Sequence, residues 1–328
     1  MKYYNWGIIA PGNIAESFAT ALSGVERARL YSVASRSVDR ATTFANEHGF
    51  QKVAHSYAEL LQDPSVDVIY IASPHNFHMQ QSLDCLEAGK AVLCEKPMCV
   101  NALEAAKVFD MAEQKRVFYM EAVWTRFMPV YRQIRAWLEQ GKIGQVQMIQ
   151  ASFGFSFADK RSPDSRLLNL DLAGGALLDL GIYPITFAQW VMRQAPIEIV
   201  ARGNLGKTGV DEKTAMLMTY SNNEMAVLST TLSADTSYDA WILGSEGRIK
   251  VPVFWCAESA ELFTNHGNER AEAPHAVNGY EWEIEEVHAC LDAGLLESRQ
   301  MPWSTSLETM RIMDEVRAQI GLRYPMEN

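Results

Sequence analysis

Residues 6–15 read Trp6-Gly7-Ile8-Ile9-Ala10-Pro11-Gly12-Asn13-Ile14-Ala15: an apolar run that breaks at a small residue, a proline and a glycine, then resumes as a helical pattern. That is a strand feeding a tight turn and then a helix. A dinucleotide fold needs a small residue at the turn, a glycine where backbone meets pyrophosphate, and a small residue where helix packs on strand. Ala10, Gly12 and Ala15 occupy those three places. The amides near Asn13 and Ile14, at the helix start, would face a diphosphate. Ala10 stands where glycine is usual, so the motif is degenerate, and an ordinary strand-turn-helix joint would look much the same. Its place at the head of the chain, with a second apolar strand at the right distance, favours dinucleotide binding.

Outward from that turn, short apolar runs alternate with helix-period segments. Strands are predicted at Asn5–Ala10, Arg29–Ser35, Val66–Ala72, Ala91–Cys94 and Val117–Met120, and helices near Ile14–Ser23, Val38–His48, His78–Ala88 and Ala102–Gln114. The alternation predicts βαβ units, hence an α/β fold with a doubly wound parallel sheet. Val66 to Ala72 is apolar except at Asp67, as expected of a strand covered on both faces. From about Gln145 the texture changes to β-type segments at Gln147–Phe157, Thr214–Tyr220, Met225–Leu232 and Ala240–Leu243, separated by turn clusters at 221–223 and 245–247. A long helix near Gly175–Met192 and two more near Glu281–Ala293 and Ser304–Ile320 complete the reading. The domains are expected at 1–122 and 123–328, with the last helices able to pack back on the first domain.

The chain has 328 residues, of which 48% are hydrophobic and 21% charged, so a fibrous or disordered class is excluded. Forty acidic against 29 basic side chains give a net charge of -11, with no basic run, which argues against a nucleic-acid partner. No apolar run of membrane-spanning length and no signal peptide are read, so no membrane partner is expected. Five scattered cysteines without paired spacings read as reduced thiols of a cytoplasmic protein, and no metal is expected.

The end of the second strand discriminates between coenzymes. NAD sites place an acidic residue there for the ribose 2′-hydroxyl, whereas a 2′-phosphate needs positive charge and hydroxyls. Ser35, Arg36, Ser37 and Arg40 fit NADP, with NAD as the alternative, and Asp39 falls late, where it serves the helix start. Ser73, Pro74, His75 and His78 lie on the loop after the third long strand, at a carboxyl end where open sheets bind ligands. Glu95-Lys96-Pro97 ends the next strand. Lys96 would point at the nicotinamide, although a Lys-Pro pair there also reads as simple punctuation.

Together, the degenerate glycine turn, the 73–78 loop and Glu95-Lys96-Pro97 resemble the Gfo/Idh/MocA oxidoreductase family over essentially the whole chain. Residues 120–129, Met-Glu-Ala-Val-Trp-Thr-Arg-Phe-Met-Pro, and 174–184, Gly-Gly-Ala-Leu-Leu-Asp-Leu-Gly-Ile-Tyr-Pro, are similar to its dihydrodiol and NADP-dependent D-xylose dehydrogenase branch. The resemblance implies a Rossmann domain followed by a domain with an open, mainly antiparallel sheet, with NADP in the cleft. It also implies a homodimer through that sheet. The family's catalytic lysine falls on Lys96, and its paired positions on the substrate-domain helix fall on Asp179 and Tyr183. The sequence departs from the family at His75, where many relatives have Asn, and at Ala10.

The chemistry can be argued beside the resemblance. Oxidising an alcohol requires a base within reach of the hydroxyl proton. A free tyrosine, with a pKa of ~10, is a poor base at neutral pH, but a nearby ammonium stabilises the phenolate. Tyr183 is therefore expected to act as acid/base, Lys96 to tune it and bind the substrate oxygen, and Asp179 to orient the lysine or hold a hydroxyl. An i, i+4 spacing puts Asp179 and Tyr183 on one helix face, and Pro184 is expected to kink that helix. Trp124 and Arg126, just past a strand end, are candidate substrate contacts, with domain packing as the alternative. Phe155, Trp255 and Tyr280 could add an aromatic wall. The expected substrate is a small cyclic polyol, an aldose or a trans-dihydrodiol. The alternatives are keto-sugar reduction at the same site and a non-catalytic dinucleotide sensor.

Overall fold

The structure, a computed structural model, describes residues 2–157 and 162–327. Its contacts divide the chain into two units, Met1–Phe127 with His275–Leu307, and Met128–Pro274 with Glu308–Asn328. The sequence reading draws one boundary after residue 122, whereas this division is discontinuous and assigns a late segment to the first unit.

In the first unit, β1 (Tyr4–Ile9), β2 (Ala28–Ala34), β3 (Lys52–Ala54), β4 (Val68–Ile71), β5 (Ala91–Glu95) and β6 (Tyr119–Ala122) form one sheet in the order β3-β2-β1-β4-β5-β6. Every neighbouring pair is parallel. The helices between them are α1 (Asn13–Gly24), α2 (Val38–His48), α3 (Tyr57–Gln62), α4 (His78–Glu87) and α5 (Ala102–Lys115). The central strands are apolar because helices cover both faces: β4 is buried at all four residues and β5 at all five. Strand order reverses between β1 and β4, the switch point where open α/β sheets bind ligands.

The late segment supplies α8 (Glu281–Asp292) to this core. The Trp6 indole donates to His288 Nε2 at 3.0 Å. Burial pushes His288 down to about 4, so the ring is neutral at physiological pH and that nitrogen can accept. Phe18 of α1 stacks on Tyr70 of β4 with centroids 3.6 Å apart.

In the second unit α6 (Pro129–Glu139) precedes β7 (Val146–Gly154). A π-turn over Leu177–Gly181 then leads into α7 (Ile182–Met192). The strands β8 (Glu198–Leu205), β9 (Asp211–Thr219), β10 (Met225–Thr231), β11 (Ala240–Gly244), β12 (Gly247–Val251), β13 (Ser259–Thr264) and β14 (Gly267–Glu272) follow, and the part of α9 (Trp303–Ile320) from Glu308 onward belongs to this unit. The sheet order is β14-β13-β12-β11-β7-β10-β9-β8, antiparallel except where β7 lies parallel to β10. One face is core: Ala151, Ala201, Met216, Leu228 and Ala240 are buried. On the other, Val200, Leu217 and Val227 share one cross-strand row, and both valines are exposed.

The stretch Leu170–Met192 is long and apolar enough to meet the length and hydropathy of a membrane span, which corrects the sequence reading that no apolar run of that length is present. It serves here as core, with 83% of its apolar window buried inside the protein.

Candidate active site

The β1–α1 turn is built as a dinucleotide turn must be. Ala10 takes φ 63, the left-handed region glycine enters freely, which explains why glycine is usual there and how alanine still serves at a modest cost. Its amide donates to Ala34 O of β2 at 3.0 Å. Gly12 precedes α1, whose start has no side-chain cap, so the first amides, near Asn13 and Ile14, lack partners within the helix. A Cβ at Gly12 would meet nothing within 4 Å, so the space beside the Gly12 backbone is open. An uncapped helix start beside open space fits a diphosphate.

At the end of β2, Ser35 Oγ accepts from the Ser37 amide at 3.2 Å, and Ser37 Oγ caps α2 by accepting from the Arg40 amide. Arg40 Nη2 donates to Pro11 O at 3.3 Å, and the Arg36 guanidinium lies 5.8 Å from the Phe77 ring centroid. The hydroxyls thus shape the turn, and two exposed guanidinium groups flank it. Asp39 is exposed in the first turn of α2, as its position implied. These residues fit a ribose 2′-phosphate.

The 73–78 loop and the Lys96 turn are joined from beneath. The wholly buried His78 ring has Nε2 2.7 Å from Ser73 O and Nδ1 2.7 Å from Pro97 O, so it ties the exits of β4 and β5 together. With no exposed surface it offers no atom to a coenzyme, which corrects its assignment as a direct contact. Ser73 Oγ donates to Gln81 at 2.7 Å, Pro74 begins the short turn His75–Phe77, and the buried His75 ring stands edge-on to His78. Glu95 accepts from the Tyr70 phenol on one oxygen and from the Lys96 amide at 3.2 Å on the other. It is therefore a support of the lysine turn. The Lys96–Pro97 peptide is cis, and Lys96 is half-buried.

Trp124 and Arg126 have scaffold partners. The indole stacks on Tyr280 with centroids 4.3 Å apart and planes 2° apart, leaving Trp124 4% exposed. Both Arg126 Nε and Nη2 donate to Gln300 O, at 3.3 and 3.2 Å. The packing alternative describes these two, and Tyr280, better than an open wall does.

In the second unit, Asp179 lies within the π-turn and Tyr183 in the first turn of α7, both buried. The regular i, i+4 spacing expected of them is corrected: the helix opens to the wider π spacing just before Pro184, which lacks the amide an α-turn would use. Thr186 Oγ1 donates to Ile182 O and Tyr183 O nearby. Arg166 Nη2 donates to Asp179 Oδ1 at 3.0 Å. Gly174 and Gly175 make that possible. A Cβ at Gly174 would lie 2.6 Å from Arg166 O, and one at Gly175, with φ 121, would lie 2.2 Å from Asp211 Oδ1. Asp211 Oδ2 accepts from the Leu177 amide at 2.8 Å, holding the start of the π-turn. Burial pushes Asp211 up to about 6. Tyr183 sits against Phe153 and Trp255, at 5.4 and 6.4 Å between centroids, and Phe155 packs edge-on to Phe153.

The sequence reading missed Arg166, Asp211 and Glu121. Arg166 carries no signal beyond a loop arginine. Glu121 does, as a carboxylate within the otherwise apolar strand Tyr119–Ala122, whereas Asp211 is followed by Glu212 and Lys213 and does not stand out.

Residues 4–123 match the oxidoreductase family model with an NAD-binding Rossmann fold, and residues 131–250 match the Gfo/Idh/MocA C-terminal domain. The chain belongs to the Gfo/Idh/MocA oxidoreductase family. Within the family it is 38% identical to trans-1,2-dihydrobenzene-1,2-diol dehydrogenase of Xenopus tropicalis, over 98% of this chain and 99% of that protein. It is 37% identical to the NADP(+) D-xylose 1-dehydrogenase of Hypocrea jecorina, covering 98% and 93%. Among solved structures, the 3-ketoreductase KijD10 of Actinomadura kijaniata, in complex with NADP and TDP-benzene, superposes with a TM-score of 0.87. It is 26% identical, covering 97% of this chain and 98% of that one. That ketoreductase has also been solved as variants of one tyrosine and of one lysine.

Proposed function

We propose that this chain is an NADP-dependent dehydrogenase of a small cyclic polyol, an aldose or a trans-dihydrodiol, with Tyr183 as acid/base, Lys96 as its electrostatic partner and Asp179 as a hydroxyl acceptor. The observation that carries the reading is the turn-and-helix bearing Asp179, paired with Arg166, and Tyr183 against Phe153 and Trp255. An aromatic flank suits the apolar face of a sugar or dihydrobenzene ring, and a carboxylate suits its hydroxyls. The bound coenzyme supplies a hydride acceptor at its nicotinamide. Tyr183 takes the hydroxyl proton as the alcohol becomes a carbonyl, and returns it in the reverse direction. Lys96 stabilises the phenolate and the substrate oxygen. Arg36 and Arg40 hold the 2′-phosphate, and the first amides of α1 hold the diphosphate. The ketoreductase relative supports a second reading, reduction of a keto-sugar by the same residues.

We also propose a cytoplasmic homodimer formed through the uncovered sheet face. All five cysteines are free thiols, and Val200 and Val227 are exposed on that face.

The test is a panel of aldoses, inositols and dihydrodiols followed by nicotinamide absorbance, with Tyr183→Phe beside the native enzyme. The variant is expected to lose about 100-fold or more in kcat with NADPH affinity within about twofold. Unchanged turnover removes Tyr183 from the mechanism.

A further inference from the structure

We propose that Glu121 is a positioning residue for Lys96: its buried carboxyl clamps the Lys96–Pro97–Met98 turn from β6 and provides the counter-charge on that side. The inference rests on the reading of Lys96 as a working residue of the site.

The register of β5 and β6 sets the geometry. Cys94 pairs with Glu121, and Glu95 with Ala122. Side chains alternate along a strand, so Glu121 projects from the sheet face opposite to Glu95. The lysine turn is gripped from both. On one face Glu95, steadied by the Tyr70 phenol, accepts the Lys96 amide at 3.2 Å. On the other, Glu121 Oε1 accepts the Met98 amide at 3.0 Å, and the Ser306 hydroxyl lies beside the same carboxyl and favours its charged form. Between them, Pro97 O meets His78 Nδ1. Three consecutive residues of the turn are each fixed by a buried titratable side chain.

A carboxylate is costly to bury, and Glu121 is 1% exposed with no hydrogen-bond partner at Oε2. An apolar residue in this strand would be cheaper, and would leave the Met98 amide unsatisfied. Burial pushes Glu121 up to about 7, while Ser306, the Met98 amide and Lys96 pull it back. The titratable groups around it are Cys94 and Glu95 of β5 and Lys96 and Cys99 of the turn. Both thiols are held neutral by burial, so Lys96 and Glu95 are the charges that it meets.

The experiment compares Glu121→Gln, Ser306→Ala and Lys96→Ala with the native enzyme, using NADP and the best substrate of the panel above. The Glu121→Gln variant keeps an acceptor for the Met98 amide and loses the charge. Its kcat is expected to fall about tenfold or more, with KM and NADPH affinity within about twofold. The limb of the kcat–pH profile that rises through neutrality should disappear, together with an infrared carboxyl band titrating in the same range. Ser306→Ala, which removes the hydroxyl beside the carboxylate, should move that limb to higher pH. A Glu121→Gln enzyme with native kcat and native pH profile overturns the proposal. If the Glu121→Gln protein does not fold, an unshifted limb in Ser306→Ala overturns it instead. Full activity in Lys96→Ala removes the reading beneath it as well, whereas an inactive Lys96→Ala beside a native-like Glu121→Gln removes this inference alone.

Discussion

Two exposed guanidinium groups at the end of β2 carry the coenzyme preference. Arg36→Ala and Arg40→Ala should each weaken NADP binding by about tenfold, the loss of one charge-assisted contact, and leave NAD binding nearly unchanged. Fluorescence titration of both reduced coenzymes measures this, and equal losses contradict the assignment. Deeper in the first unit, the Glu283 carboxyl is fully buried without a hydrogen-bond partner on either oxygen, and burial, reinforced by Glu95, holds its pKa well above the usual carboxylate range. A raised acid pKa means that the folded state keeps a proton the unfolded chain gives up. The stability it contributes is complete below the ordinary carboxylate pKa and drains away as pH rises toward the folded value. Glu283→Gln should therefore gain thermal stability relative to the native protein as pH is raised from about 5 to about 8, as followed by melting curves. A gap that does not change with pH refutes the buried charge balance. Single residues of this kind were partly legible. Lys96, Gly12 and Arg36 stand in sequence patterns, whereas Arg166 meets Asp179 only because a loop folds back, and nothing in its neighbours encodes that.

Among elements, the first-unit strands and helices lie within about three residues of their predicted places. Buried parallel strands are continuous apolar runs, and three of the helices between them carry side-chain caps, Ser37 before α2, Ser56 before α3 and Asn101 before α5. The short β3 and α3 escaped, as did α6, and so did β8, β12, β13 and β14, whose partly exposed residues give a weak alternation. The π-turn could not be read at all, because a four-residue spacing looks the same on paper in either helix type, although Pro184 was the clue. Gly174→Ala tests what places this turn. Its Cβ would press on the backbone of Arg166 and Leu167, which cannot swing aside as a side chain can. We expect a loss of about 1–3 kcal/mol in denaturant unfolding and a raised substrate KM as Arg166 leaves Asp179. Native stability in that variant would show that the glycine is not needed for the close approach.

For the whole molecule, the sheet of the second unit exposes Val200 and Val227 on neighbouring positions of one row with half-buried Leu217 between them. Val227→Glu should convert a dimer to monomer in sedimentation velocity without lowering coenzyme affinity, since an interface over this face would have to desolvate the added carboxylate. A native protein that already sediments as a monomer ends the proposal.

The membership of α8 has a consequence for how the protein is made. Trp6 waits for His288, and Tyr4 donates its phenol to Asp292 at 2.6 Å, so the first strand finds its last partners nearly three hundred codons later. The nucleotide-binding lobe cannot mature on the ribosome before residues 281–292 have emerged, and until then a nascent chain must shelter that incomplete sheet.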